Sequence, residues 1–394
     1  MNPKANLSNV LVTFLKLGLT SFGGPIAHIA HFRKELIEKQ QWVNEHQFSQ
    51  LLAICQFLPG PASSQLGFAL GLIRAGWLGA MAAFVAFTLP SALLLVGLAS
   101  ALPLLSNPSG IAFIHGLKLV AVAIVADALF GMTKKLCPDH TRRIIGLVAA
   151  ATLLMIQAAW APILMIMMGA VIGILVCRAT PTSKPLLFIK LNKRFSLRLL
   201  SLFIALLLVS LLPYHQSAFI AVSQAFYRAG ALVFGGGHVV LPLLEEAVVN
   251  TGWVSNAHFL AGYGASQAIP GPMFAFSAYL GAIIPNGHSI SWLGALFALI
   301  FMFLPGLLLI AAVLPFWQSI ANKPLATKAI AGINATVVGI LGAAFIDPIV
   351  MTSIVSMIDL LICLVAIILL CKWRLSPLIA VIWCVVASLT THFI

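Results

Sequence analysis

Two cations, two glycine clusters and two Pro-Gly-Pro breaks are the residues here best suited to hold an anion. Lys16 and Arg228 each stand near the middle of a long apolar run. A charge at such depth costs a few kcal/mol on insertion scales, so it tends to face a cavity or a partner. Snorkelling or a structural ion pair is the plainer alternative. The clusters Phe22-Gly23-Gly24-Pro25 and Phe234-Gly235-Gly236-Gly237-His238 let a helix open and expose backbone N–H groups, unless they serve only close helix packing. The breaks Pro59-Gly60-Pro61 and Pro270-Gly271-Pro272 stop a helix, because proline lacks a donor and clashes with the preceding turn. The helix restarting after each has free N–H groups and a positive dipole end, which suits an anion. Ala62-Ser63-Ser64-Gln65 add hydroxyls and an amide after the first break, whereas Met273-Phe274-Ala275-Phe276-Ser277 after the second are less polar. Gln56 and Gln267, three residues before each break, are expected to satisfy freed carbonyls or to touch the solute.

The elements that carry these residues must be membrane helices. Of 394 residues, 61% are hydrophobic and 8% charged, against roughly 25% charged in a soluble domain. That excludes a soluble enzyme, a disordered tail and a nucleic-acid binder, and it leaves an all-α polytopic membrane protein. The net charge of +13 lies in short gaps between apolar runs, as in cytoplasmic loops. The six cysteines are scattered, without a CxxC, and read as apolar packers. No metal site and no cofactor is expected. Eleven apolar runs, among them 8–30 and 216–243, and the two broken segments 46–75 and 256–284 give about 13 spans if each crosses once.

The chain is also duplicated. Phe14-x-Lys16-x-Gly18-x-x-x-Phe22-Gly23-Gly24 recurs as Phe226-x-Arg228-x-Gly230-x-x-x-Phe234-Gly235-Gly236, offset by 212. Gln56-x-x-Pro59-Gly60-Pro61 recurs at Gln267 to Pro272, offset by 211, and Trp77-Leu78-Gly79-Ala80 and Leu89-Pro90 recur at 215. Gly116 and Val122 match Gly332 and Val338 at 216. The expected organisation is a first half at 1–177, a basic cytoplasmic loop and linking span at 178–215, and a second half at 216–394. Once-crossing segments put 16 basic residues on one side and 3, Arg33, Lys34 and Lys39, on the other. Turning the two Pro-Gly-Pro segments back as hairpins gives 14 against 5. Once-crossing is therefore preferred by the positive-inside rule, with the N-terminus inside and the halves inverted, as in many secondary transporters. Inversion would bring Lys16 and Arg228 toward one axis.

Asp127 is a mid-span carboxylate and the candidate for proton coupling. His28 and His31 are expected at the outer interface, and Glu245 and Glu246 in a solvated loop. Asn44 followed by Gln47 is expected to cap a helix.

The runs Phe22-Gly23-Gly24-Pro25-Ile26-Ala27-His28, Gln56 to Pro61 and Gly76 to Ala80, with Phe234 to Pro242 and Gln267 to Pro272 in the second half, resemble the chromate transporter family in its long-chain form. The resemblance covers most of the chain. It implies a multi-pass inner-membrane protein of two homologous halves that exports chromate and confers resistance, with sulfate as the competing oxyanion and proton-linked exchange proposed. Family motif positions fall on Gly23, Gly24, Pro25, Pro59, Gly60, Pro61 and their second-half partners. His238 stands where many relatives carry an aromatic residue. Homodimerisation is left open. The rival readings are an oxyanion uptake permease or anion channel of the same architecture, a lipid-phosphate enzyme and a non-transporting sensor. The enzyme lacks a carboxylate cluster or a Ser/His/Asp set beside the anion site.

Overall fold

The computed structural model describes residues 7–156, 158, 160–178, 192–212, 218–234, 237–284, 290–317 and 323–392. They form α1 (Leu7–Thr20), α2 (Gly24–Arg33), α3 (Glu45–Phe57), α4 (Ala62–Ala101), α5 (Pro108–Leu136), α6 (His140–Met155), α7 (Ala161–Val176) and α8 (Lys193–Leu211). The chain continues through α9 (Ala218–Leu232), α10 (Val240–Val248), α11 (Asn256–Ser266), α12 (Phe276–Ile283), α13 (Trp292–Val313), α14 (Pro324–Ala344), α15 (Met357–Ile367) and α16 (Pro377–His392). No strand occurs among the described residues. Among the described residues, five helical stretches are long and apolar enough to cross a membrane. Outward-facing Leu78, Leu147, Leu175, Leu208 and Leu361 are more than half exposed, as lipid contact requires.

The broken segments turn back. Arg74, at the end of the first one, lies over the ring of Trp42, which precedes its start, 5.2 Å from the centroid. In the second, the Tyr279 hydroxyl donates to the His258 carbonyl (2.9 Å) and Phe259 meets Phe276 edge-on at 5.4 Å. A single crossing would hold these pairs tens of ångströms apart at 1.5 Å per helical residue. Each Pro-Gly-Pro is therefore the tip of a helical hairpin, which overturns the once-crossing preference and the 13-span count built on it.

Run 8–30 is likewise not one span. Phe14 packs on Phe32 at 5.5 Å, and Gln40 Nε2 donates to Thr13 Oγ1 (3.1 Å). The chain reverses at Ser21–Gly24, where Gly23 and Gly24 have φ of 97° and 75°, open to glycine and rarely to other residues. Run 216–243 ends at its own glycine cluster, and α9 and α10 line one cavity together. Helix α4 reverses too. Ala75 and Gly76 leave helical φ/ψ, and Gly71 packs against Gly79 and Ala83, so the crossing part begins at Trp77. Asn44 and Gln47 form the expected capping box at α3.

The halves are intertwined. Helix α5 packs against α15 and α16, and α14 against α6 and α7, so each half lends one helix to the other's bundle. The repeat glycines make this possible. Gly116 abuts the α16 backbone at Cys384–Val385, and Gly332 abuts Gly169 and Gly173 of α7. Gly332→Leu is expected to cost about 1–3 kcal/mol or more by overpacking, read as a lower Tm in detergent. Gly131→Leu, with nothing near its added Cβ, should leave Tm unchanged; equal losses would refute the packing argument.

Candidate functional site

Four hairpin tips meet at the centre, and each half docks on the other. The Gly60 N–H donates to the Val233 carbonyl (2.7 Å), and the Gly271 N–H donates to the Ser21 carbonyl (2.9 Å). Gly60 and Gly271 are repeat equivalents, as are Ser21 and Val233. One bond is thus the copy of the other under the internal duplication. Around them, Gly60 lies against Gly306, and Gly271 against Ser91 and the Gly18 and Phe87 carbonyls. Gly60 and Gly271 take φ of 116° and 96°. The Ser91 hydroxyl donates to the Pro270 carbonyl (2.8 Å). Pro25 of one glycine cluster faces Gly237 of the other, 3.1 Å from where a Cβ would stand.

The chemistry of the junction is lopsided. On the first-half side Ser21, His28, Ser63, Ser64, Gln65, Thr88 and Ser91 are all buried. Their repeat equivalents are Val233, Val240, Phe274, Ala275, Phe276, Phe303 and Gly306. His28 Nδ1 lies 3.4 Å from Ser63 Oγ, and its ring meets Phe87 edge-on at 5.5 Å. Helix α4 starts at Ala62 with Pro61 as N-cap and no side-chain cap, so the N–H groups of its first turn are free. In the second half a 3₁₀ turn, Met273–Ala275, precedes α12, and Met273, Phe274 and Ala275 bury it.

The expected site residues divide. Pro25, Gly237 and both Pro-Gly-Pro breaks stand at the junction, Ser63 and Ser64 are buried at the start of α4 beside it, and Gly23 and Gly24 form the turn ahead of Pro25 with no described second-half atom within 4 Å of their Cβ positions. Gln267 is buried, its Nε2 donating to Ser266 Oγ (3.3 Å) and Met273 Sδ (2.9 Å). Gln56 is exposed, and the carbonyl-satisfying task falls to Gln65, whose Nε2 donates to the Pro59 (2.8 Å) and Gly306 (3.0 Å) carbonyls. Three residues before the break put Gln56 on the exposed face of α3, whereas Gln65 stands at the end of the first turn of α4, which runs back across the tip. Gly235 and Gly236 lie outside the described residues. His238 Nδ1 contacts the buried Tyr263 hydroxyl at 2.8 Å.

The two cations do not share a pocket. Lys16 is 58% exposed and pairs with Glu35 at 3.7 Å. Arg228 lines a cavity of 410 Å³ with Glu246, Asn250, Trp160 and Leu211. Each thus faces a carboxylate on the return leg of its own hairpin. Reversal at the glycine cluster puts that carboxylate beside it, where an unbroken span would have carried it away. Asp127 accepts from the Cys371 thiol (3.2 Å). Lys118 donates to the Thr352 carbonyl (2.8 Å).

Sequence reasoning missed Ser21, Thr88 and Ser91, named Gln65 only as an amide following the break, and misplaced His28, which is buried, not interfacial. Glu245 is also buried, in α10, where its carboxylate accepts from Asn256 (3.4 Å). Comparing repeat partners for lost polarity, at offsets 212, 211 and 215, was the available signal.

Comparison with known proteins gives a family model described as "Chromate transporter", matching residues 8–174 and 220–389. A probable chromate transport protein of Synechococcus elongatus is 30% identical over 97% of this chain and 95% of its own. The chromate transport proteins of Pseudomonas aeruginosa and Cupriavidus metallidurans are 26% and 28% identical, over 88% and 94% of this chain and 82% and 90% of theirs. No solved structure gives a match.

Proposed function

The chain belongs to the chromate transporter family, and we propose that it is a secondary transporter carrying chromate, with sulfate as competitor, out of the cytoplasm across the inner membrane. The observation that carries this reading is the reciprocal docking of the tips, Gly60 on Val233 and Gly271 on Ser21. Discontinuous helices meeting at a repeat interface are where secondary transporters bind their solutes.

The hairpins also support inverted halves. With all four hairpins returning to the side they left, nine helices cross: α4 from Trp77, α5 to α8, and α13 to α16. Apart from Lys16, Lys118 and Arg228, every described Lys and Arg then falls on one side, a cleaner positive-inside division than either reading that left 8–30 as a span. The first-half hairpins open on that basic side and the second-half hairpins on the opposite one. In this arrangement Lys16 and Arg228 flank the two mouths, where each attracts the oxyanion toward the tips. Asp127 remains the candidate for proton coupling.

Outward movement is favourable for a dianion. One charge crossing 100 mV is worth about 2.3 kcal/mol, and two charges twice that. Purified protein in proteoliposomes is expected to show saturable chromate efflux with counterflow, persisting when the pH gradient is collapsed and the potential kept. Flux that follows only the pH gradient would sink the energetic argument. Non-saturating flux without counterflow indicates a channel, and flux only in the opposite direction indicates an uptake permease.

A further inference from the structure

Within the transporter reading, on which this step rests, we infer that the oxyanion is held by uncharged donors from the first half alone, at the start of α4. The second half supplies an apolar wall. The donors are the free N–H groups of the first turn of α4, the hydroxyls of Ser21, Ser63, Ser64 and Thr88, and the His28 ring. The ligand class is a tetrahedral oxyanion with at least three acceptor oxygens.

Two observations converge there. One is the helix start itself, whose N–H groups no side chain caps and whose dipole favours an anion. The other is unspent polarity. Ser21 Oγ, His28 Nε2, Ser64 Oγ and Thr88 Oγ1 are buried and have no hydrogen-bond partner among the described residues. Their residues are 0%, 1%, 1% and 2% exposed. Buried polar groups in a membrane are costly unless satisfied. The contacts tie the set to the start of α4: the His28 ring meets both Ser63 and Phe87, Phe87 and Ser21 both meet Gly271, and Ser64 and Thr88 adjoin Ser63 and Phe87 in sequence. The corresponding positions of the second half carry Val233, Val240, Ala275 and Phe303, which offer no side-chain hydrogen bond.

The cations are spent elsewhere. Lys16 is with Glu35, Lys118 is on the Thr352 carbonyl, and Arg228 is in its own cavity. A site without a fixed cation suits transport, since a solute must be bound well enough to enter and loosely enough to leave. It also explains why duplication was followed by divergence here. Two identical polar tips would give two sites side by side and like charges facing each other.

The test is equilibrium binding of radiolabelled chromate and of radiolabelled sulfate to the purified full-length protein, with flux measured on the same preparations in proteoliposomes. Ser64→Ala and Thr88→Val are each expected to weaken binding about tenfold or more, the worth of a hydrogen bond to a charged group. The hydroxyl-retaining Ser64→Thr and Thr88→Ser should stay close to wild type. Ser388→Ala, whose hydroxyl already serves the Ala112 carbonyl, should bind as wild type. Wild-type affinity in the Ser64→Ala and Thr88→Val variants overturns the inference while leaving the transporter reading intact. So does equal loss in the hydroxyl-retaining pair, which would mark a packing effect. Wild-type protein that neither binds nor moves any oxyanion overturns the transporter reading itself, and this inference with it.

Discussion

Gly271→Ala is expected to abolish oxyanion flux in proteoliposomes while the protein still inserts, and Gly60→Ala to do the same. Two costs combine at each. A φ of 96° or 116° is poor for any residue with a Cβ, costing about 1–2 kcal/mol. The added methyl then has nowhere to go. At Gly271 it would collide with the Ser91 hydroxyl and crowd the Gly18 and Phe87 carbonyls; at Gly60 it would sit 2.9 Å from the Gly306 Cα. Overpacking of that kind costs roughly 1–3 kcal/mol more. The strain is relieved by moving the tip away, which breaks the Gly271–Ser21 or Gly60–Val233 bond and separates the two halves where they meet. Gly97→Ala is the control, since Gly97 is in α4 with nothing within 4 Å of an added Cβ. Flux at the wild-type rate in either tip variant, at equal protein level, would show that the reciprocal docking has no part in transport.

The second large effect is one of sidedness. A cysteine at Lys39 is expected to resist a membrane-impermeant maleimide in intact cells and to react fully once the membrane is opened. A cysteine at Thr251 should react in intact cells. Lys39 sits at the open end of the α1–α2 hairpin and Thr251 at that of the α9–α10 hairpin, and inverted halves put those ends on opposite faces. A continuous span over 8–30 predicts the reverse for Lys39, so the outcome is all or nothing. Background is low because Cys371 is half-buried and the other five native cysteines are buried. Labelling of both positions from the same side would exclude inverted halves.

Gln56 is exposed while Gln65 bonds the Pro59 and Gly306 carbonyls. Both flank the first Pro-Gly-Pro, and both are amides able to serve a freed carbonyl. Spacing from the prolines does not choose between them, because the choice depends on which way the chain leaves the tip. Lys16 and Arg228 teach the same point. Their repeat positions were legible, but the carboxylates they face, Glu35 in an ion pair and Glu246 across a cavity, come from return legs that exist only if the chain reverses.

Read alone, the sequence established the membrane class, the duplication with its offsets, the capping box at Asn44 and the four places where proline or glycine clusters interrupt helices. These follow from composition and from local backbone chemistry, which act over a few residues. It did not decide whether an interrupted helix continues or returns, since proline forbids a hydrogen bond without dictating a direction. That was decided by tertiary structure. A tip buried among apolar helices must find a partner for its N–H, and for Gly60 and Gly271 the partner is a carbonyl on the opposite half, some 170 to 250 residues away along the chain.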